Sequence, residues 1–343
     1  MFSSRNLWRA AFLASALSLG SFSVAPAAFA QTAPRGNFSY SAAKLSYRAN
    51  GIRLDGTSAN PARVKAPQLE ASAQAIAFDL AGNSISQVRA LTNVDLKVTL
   101  TPKSGGKSTR VEVRTASATL TTATRTLVLN GNLSGFYQEE GGPRNTLRGE
   151  NATLRYVGEN LVAEIEGGAS GVQFSVPASG FGSSGATGTV VITAKNARLD
   201  EGTGVLRLVG NARAVSSGGA QNFDVAASEF VITRAANGQL SRLQTVGRTS
   251  VKLDLPPEPT QNSSSIGRPT RVEVMANKAN VDLATSTAVF EGAVKGFYRL
   301  QPASGAAQNY NFSGETATIR YDEKAAQTGN GLSVEVAGGV EVE

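Results

Sequence analysis

The side chains of this 343-residue chain that could do chemistry are carboxylates, lysines, tyrosines and hydroxyls, because it contains no histidine and no cysteine. Their absence removes the Ser-His-Asp triad, the cysteine nucleophile, the disulfide and every imidazole or thiolate metal site. Glu139 and Glu140 are adjacent carboxylates. They lie beside Gly141-Gly142 in turn-forming sequence, without a partner acid or an apolar pocket to shift a pKa. Gly167-Gly168 and Gly338-Gly339 are followed by neither a helix nor Lys-Ser/Thr, so neither pair builds a phosphate loop. Arg155-Tyr156 and Arg320-Tyr321 place a cation beside an aromatic ring, an arrangement that would meet lipid phosphates at a groove mouth. Strand alternation turns both arginines outward, which equally describes a solvated sheet face. The expectation is a protein without catalysis, cofactor or metal.

The elements that must position these residues are strands. The chain has 36 glycines, only 6% aromatic and 17% charged residues, a composition of many short strands and turns built from small side chains. Thr109-Arg110-Val111-Glu112-Val113 recurs as Thr270-Arg271-Val272-Glu273-Val274, and Gly135-Phe136-Tyr137 as Gly296-Phe297-Tyr298. Gly149 to Tyr156 is echoed by Gly314 to Tyr321 after a small insertion in the intervening turn. The chain therefore reads as a tandem duplication of a unit of about 155 residues. The expected divisions are a signal peptide over 1–30, a first unit over 31–177, a Gly/Ser-rich linker over 178–189 and a second unit over 190–343.

Within each unit a finer pattern repeats: two alternating apolar or small residues, a step of three, then two more. Ala71, Ala73, Ile76 and Phe78 form one copy; Val113, Thr115, Ala118 and Leu120 another; Leu147, Gly149, Ala152 and Leu154 a third. Further copies contain the steps from Tyr40 to Ala43, Ala194 to Ala197, Ala227 to Phe230, Ala276 to Ala279 and Gly314 to Ala317. Alternation keeps one strand face buried. A step of three restores that face only where the chain bends or bulges, so each copy predicts a strand folding over a corner. A second signature, Leu127-x-Leu129-x-Gly131-x-Leu133, recurs at Leu206 to Ala212 and Ala288 to Val294. The fold class expected is all-β, a stack of antiparallel strands.

Arg5 and Arg9, the uncharged run from Ala10 to Val24, and Ala28-Phe29-Ala30 have the three parts of a secretory signal cleaved after Ala30. Serines dilute that run and Pro26 follows it, so a membrane-spanning helix fits poorly. Cleavage would lower the formal net charge from +7 to +5. So small an excess, spread over an exported chain, argues against nucleic acid as a partner.

Ile192 to Asp200 followed by Leu206 to Ala212, together with Val111 to Gly135, Leu147 to Tyr156, Val272 to Gly296 and Phe312 to Tyr321, resembles the repeat of the organic-solvent-tolerance (OstA), or LptA-like, periplasmic lipopolysaccharide-transport family. The resemblance covers most of the mature chain. It implies an elongated β-jelly-roll or folded β-taco whose open-edged groove carries lipid A acyl chains across the periplasm. The partners it implies are lipopolysaccharide or another acylated lipid and the inner- and outer-membrane components of the same transport path. Strand alternation that continues through Val340 to Glu343 adds the expectation of a sheet edge joining copies of the chain head to tail.

A lipid carrier needs an apolar trough between sheet faces that are not fully zipped together. Small inward residues beside larger ones leave less side-chain volume than a filled sandwich requires. The residues expected to line the groove are Leu45, Tyr47, Ile76, Phe78, Leu127, Leu129, Leu133, Leu154, Tyr156, Leu206, Leu208, Phe230, Ile232, Phe290, Val294, Ile319 and Tyr321. The same residues would equally build an ordinary closed core, which leaves a structural cell-envelope repeat protein as the second reading. An enzyme should show one irregular copy concentrating paired acids, and none is seen.

Overall fold

The structure, a computed structural model, describes residues 39–342 apart from 67–68, 83, 101–107, 143, 158–159, 178–187, 218–221, 235–239, 255–267, 283–284, 286, 302–305, 322–331 and 340. The expected signal peptide and most of the Gly/Ser-rich linker lie outside the described residues. Those described form strands, turns and bends, with no helix among them. They divide into two compact units. One extends to Phe174 and takes in Lys195–Thr203; the other combines Ser175–Ala194 with Gly204–Glu343.

The N-terminal unit contains β1 (Ser39–Ser41), β2 (Lys44–Arg48), β3 (Gly51–Asp55), β4 (Ala62–Ala66), β5 (Leu69–Ala73), β6 (Ala75–Ala81), β7 (Ser84–Leu100), β8 (Thr109–Thr121), β9 (Thr126–Glu139), β10 (Arg144–Val157) and β11 (Asn160–Glu166), and the start of β12 (Val172–Pro177). After β13 (Thr189–Ala194), which belongs to the C-terminal unit, β14 (Asn196–Asp200) completes the first unit by pairing with β11. The C-terminal unit continues with β15 (Val205–Ser217), β16 (Asn222–Arg234), β17 (Leu240–Val246), β18 (Thr249–Asp254), β19 (Arg268–Ala276), β20 (Lys278–Asp282), β21 (Thr287–Gln301), β22 (Gln308–Tyr321), β23 (Leu332–Ala337) and β24 (Glu341–Val342).

All the ladders are antiparallel, and the long strands each take part in two walls. Residues 95–100 of β7 pair with the start of β8, while residues 87–91 pair with its end. The register breaks between Leu91 and Val94. The same break falls between Arg114 and Ser117 on β8, Gly149 and Asn151 on β10, Val209 and Ala212 on β15, and Glu291 and Val294 on β21. Each unit is thus an antiparallel sheet folded along a line of bulges, a β-jelly-roll of the taco type. Four of the eight steps of three fall on this line, in β8, β10, β16 and β22, and the other four fall in the breaks between β1 and β2, β5 and β6, β13 and β14, and β19 and β20, since a bulge or bend restores side-chain parity.

The glycine signature marks the bulge at which β9, β15 and β21 bend. Gly131 (φ 80°) and Asn132 (φ 51°) are both left-handed, as are Gly210 with Asn211 and Gly292 with Ala293. Glycine, and to a lesser degree asparagine, accepts that conformation at low cost. Thr92-Asn93 forms the same corner on β7 without a glycine, which is why the signature misses it. Corner residues are hydrogen-bonded across the fold line: the Gln74 N–H donates to the Thr92 carbonyl (3.0 Å) and that of Asn277 to Gly292 (2.8 Å).

Two buried threonines serve the corner between β17 and β18. Thr245 Oγ1 accepts the Ala279 N–H at 2.7 Å and stands 2.6 Å from Thr249 Oγ1, which donates to the Gly247 carbonyl at 3.0 Å. Thr245→Val keeps the side-chain shape and leaves a buried N–H unpaired, so it is expected to cost about 1–3 kcal/mol. Thr245→Ser should cost much less; urea midpoints of the two variants test the difference.

Candidate apolar groove

Cross-strand pairing lines up the inward residues of each wall in rows running along the fold line. In the N-terminal unit the row nearest the corners is Leu45, Leu54, Ile76, Ala90, Ala118, Leu129, Ala152, Ile165 and Ala197. The next row outward is Tyr47, Ile52, Phe78, Val88, Leu120, Leu127, Leu154, Ala163 and Leu199. The opposite wall presents Leu96, Val113, Gly135 and Leu147 in register. Both walls contribute to one core, with Leu54, Ile76, Val94, Leu129 and Leu133 at its centre.

On β7 to β10 burial falls from the fold line outward. Leu129 is 3% exposed, while Leu127 on the same strand is only half-buried. The change repeats from Ala118 to Leu120, Ala152 to Leu154, Ala90 to Val88 and Val94 to Leu96. Leu120, Leu127 and Leu154 are direct neighbours on three adjacent strands, so their incompletely covered side chains form a continuous apolar strip.

The C-terminal unit has the same rows with a different outcome. In its outer row Leu206, Ile232, Leu243, Val281, Ala288 and Ile319 are no more than 5% exposed, and Val334 beyond Ile319 is half-buried. On its other wall Phe312 lies opposite Gly296, its ring occupying the space a β-carbon there would need. Tyr298 stacks on Tyr310 with ring centroids 4.9 Å apart and lies 6.4 Å from the Phe312 ring.

Of the residues expected to line a groove, Ile76, Phe78, Leu129, Leu133, Leu206, Leu208, Phe230, Ile232, Phe290, Val294 and Ile319 are buried against other side chains. Leu127, Leu154 and Tyr156 are half-buried. Leu45 and Tyr47 are exposed, Tyr47 by 68%. Tyr321 ends β22, paired with Leu332, and its side chain lies outside the described residues. Sequence reasoning passed over Ile52, Val88, Leu96, Val113, Leu120 and Leu147 as lining residues, although Val113, Leu120 and Leu147 stand in the repeated pattern.

Charge is kept on the outer faces. Arg89 pairs with Asp79 (2.9 Å), Arg207 with Glu229 (2.7 Å) and Lys278 with Glu291 (2.7 Å). Arg213 makes a two-pronged contact with Asp224 (2.9 and 2.6 Å), whose hydrogen bonds hold that carboxyl below its ordinary range. Arg155 and Arg320 are exposed, the latter 3.6 Å from Glu335. Glu140 accepts the Ser108 N–H at 3.4 Å, holding a loop end. Burial, followed by the Glu201 charge, pushes the Tyr156 phenol far above its usual range, so it stays neutral. Among the described residues no group of three acids is placed to hold a metal ion.

No protein-family model matches the chain, and no curated protein matches it. Among solved structures it is similar to LptH, the LptA-homologous periplasmic component of the conserved lipopolysaccharide transport device from Pseudomonas aeruginosa. The TM-score is 0.30 at 13% identity, covering 45% of this chain and 93% of that one.

Proposed function

We propose that this chain is an exported, periplasmic carrier of acylated lipid, holding the acyl chains of lipopolysaccharide or a related amphiphile between the two walls of a folded sheet and passing it toward the outer membrane. The single observation that carries the reading is the strip of half-buried inward side chains along the outer row of the N-terminal unit. Covering such a strip with methylene groups is worth about 0.8 kcal/mol for each one taken out of water, so affinity needs no specific polar contact. The strand-and-corner resemblance to the OstA-like repeat supports the same cargo.

A second reading, a structural envelope protein with a closed core, is favoured by the buried row from Leu206 to Ile319 in the C-terminal unit. Native mass spectrometry of the protein purified from an envelope fraction separates the two. Co-purifying acylated lipid is the expected result. A bare protein mass, combined with failure to bind a fluorescent fatty acid, would sink the carrier reading.

A further inference from the structure

We infer that the two units divide the work: the N-terminal unit alone accepts an alkyl chain, and the aromatic residues Phe312 and Tyr310 plug the C-terminal unit, so that each chain carries one amphiphile. The inference rests on the carrier reading and restricts it to one site. Positions 165 residues apart supply the comparison. Where the C-terminal unit has Phe312 and Tyr310, the N-terminal unit has Leu147 and Asn145. Phe312 is 5% exposed with its ring over Gly296, and Tyr310 stacks on Tyr298 beside it; Leu147 is half-buried opposite Gly135.

Aromatic side chains bury far more surface than the leucine and asparagine they match. A ring laid over a cross-strand glycine is a known way to fill the gap that the glycine leaves. Beyond the corner on the same strand, Ile319 is buried and its counterpart Leu154 is not.

The uncovered strip also defines its occupant. From Val88 to Leu154 it crosses four strands, roughly 14 Å at about 4.8 Å per strand. It is one side chain wide, and each side chain offers only part of its surface. The total falls well short of the roughly 800 Å² that a stable protein partner covers. A narrow, flexible, apolar ligand the length of an alkyl chain fits that outline.

Binding of a fluorescent palmitate analogue tests the inference, with stoichiometry read by native mass spectrometry and the fold followed by thermal melting. The wild-type protein should bind one equivalent. Asn145→Tyr with Leu147→Phe, which transplants the plug, should weaken binding at least tenfold while the protein still melts cooperatively. Tyr310→Asn with Phe312→Leu should add a second equivalent. A wild type that binds nothing overturns the carrier reading itself. Two equivalents on the wild type, or undiminished binding by the folded plug variant, overturn the division of work and leave the carrier reading standing. Should the plug variant not fold, the absence of a second equivalent on the folded Tyr310→Asn/Phe312→Leu protein overturns the inference.

Discussion

Leu154→Asp is expected to weaken fatty-acid binding by more than a hundredfold and to leave the protein folded. Leu154 lies between Leu127 and Ala163 in the outer row of the N-terminal unit. Because it is half-buried, a carboxylate there reaches water while the groove is empty, and folding pays little for it. An alkyl chain entering the groove would strip that water away. Desolvating an unpaired carboxylate costs several kcal/mol, and about 3 kcal/mol already exceeds a hundredfold in affinity. Displacement titration alongside far-UV circular dichroism checks both halves of the prediction. A folded variant that binds normally would remove Leu154, and the strip it belongs to, from the site.

The matching substitution in the other unit, Ile319→Asp, should act on stability. Ile319 is 5% exposed and sits between Ala288 and Val334, so a carboxylate there reaches no water. An unpaired buried charge costs about 3–5 kcal/mol, a large part of a total stability near 5–15 kcal/mol. The variant's urea midpoint should fall sharply, whereas Ile319→Val should cost only about 0.5–1.5 kcal/mol. The sign with pH follows from the burial. An aspartate whose folded pKa is raised destabilises progressively as pH climbs above its unfolded value near 4, so the deficit should be larger at pH 7 than at pH 4. A midpoint unchanged at pH 7 would show that this interior admits water, and the two units would then no longer differ.

These two residues occupy matching places in the sequence, Leu154 within Gly149 to Tyr156 and Ile319 within Gly314 to Tyr321. Pattern reading treats them alike, and both were expected to line a groove. What separates them is burial, Ile319 being 5% exposed and Leu154 half-buried, in units that also differ at Phe312 and Leu147. Leu45 and Tyr47 carry the same lesson, alternating in phase with the rest and yet exposed.

The all-β fold, the antiparallel strands and the corners were legible in the residues, because each depends on local rules. Alternation marks a buried face, a step of three marks a bulge, and Gly-Asn marks a left-handed bend. The absence of histidine and cysteine likewise decided, before any folding, which chemistry the chain lacks. Only the tertiary structure decided which inward residues are sealed and which stay open, since burial depends on the distance between two walls brought together by strands far apart in sequence. Leu127 and Leu129 are two residues apart on one strand, yet one closes the core and the other remains at its edge.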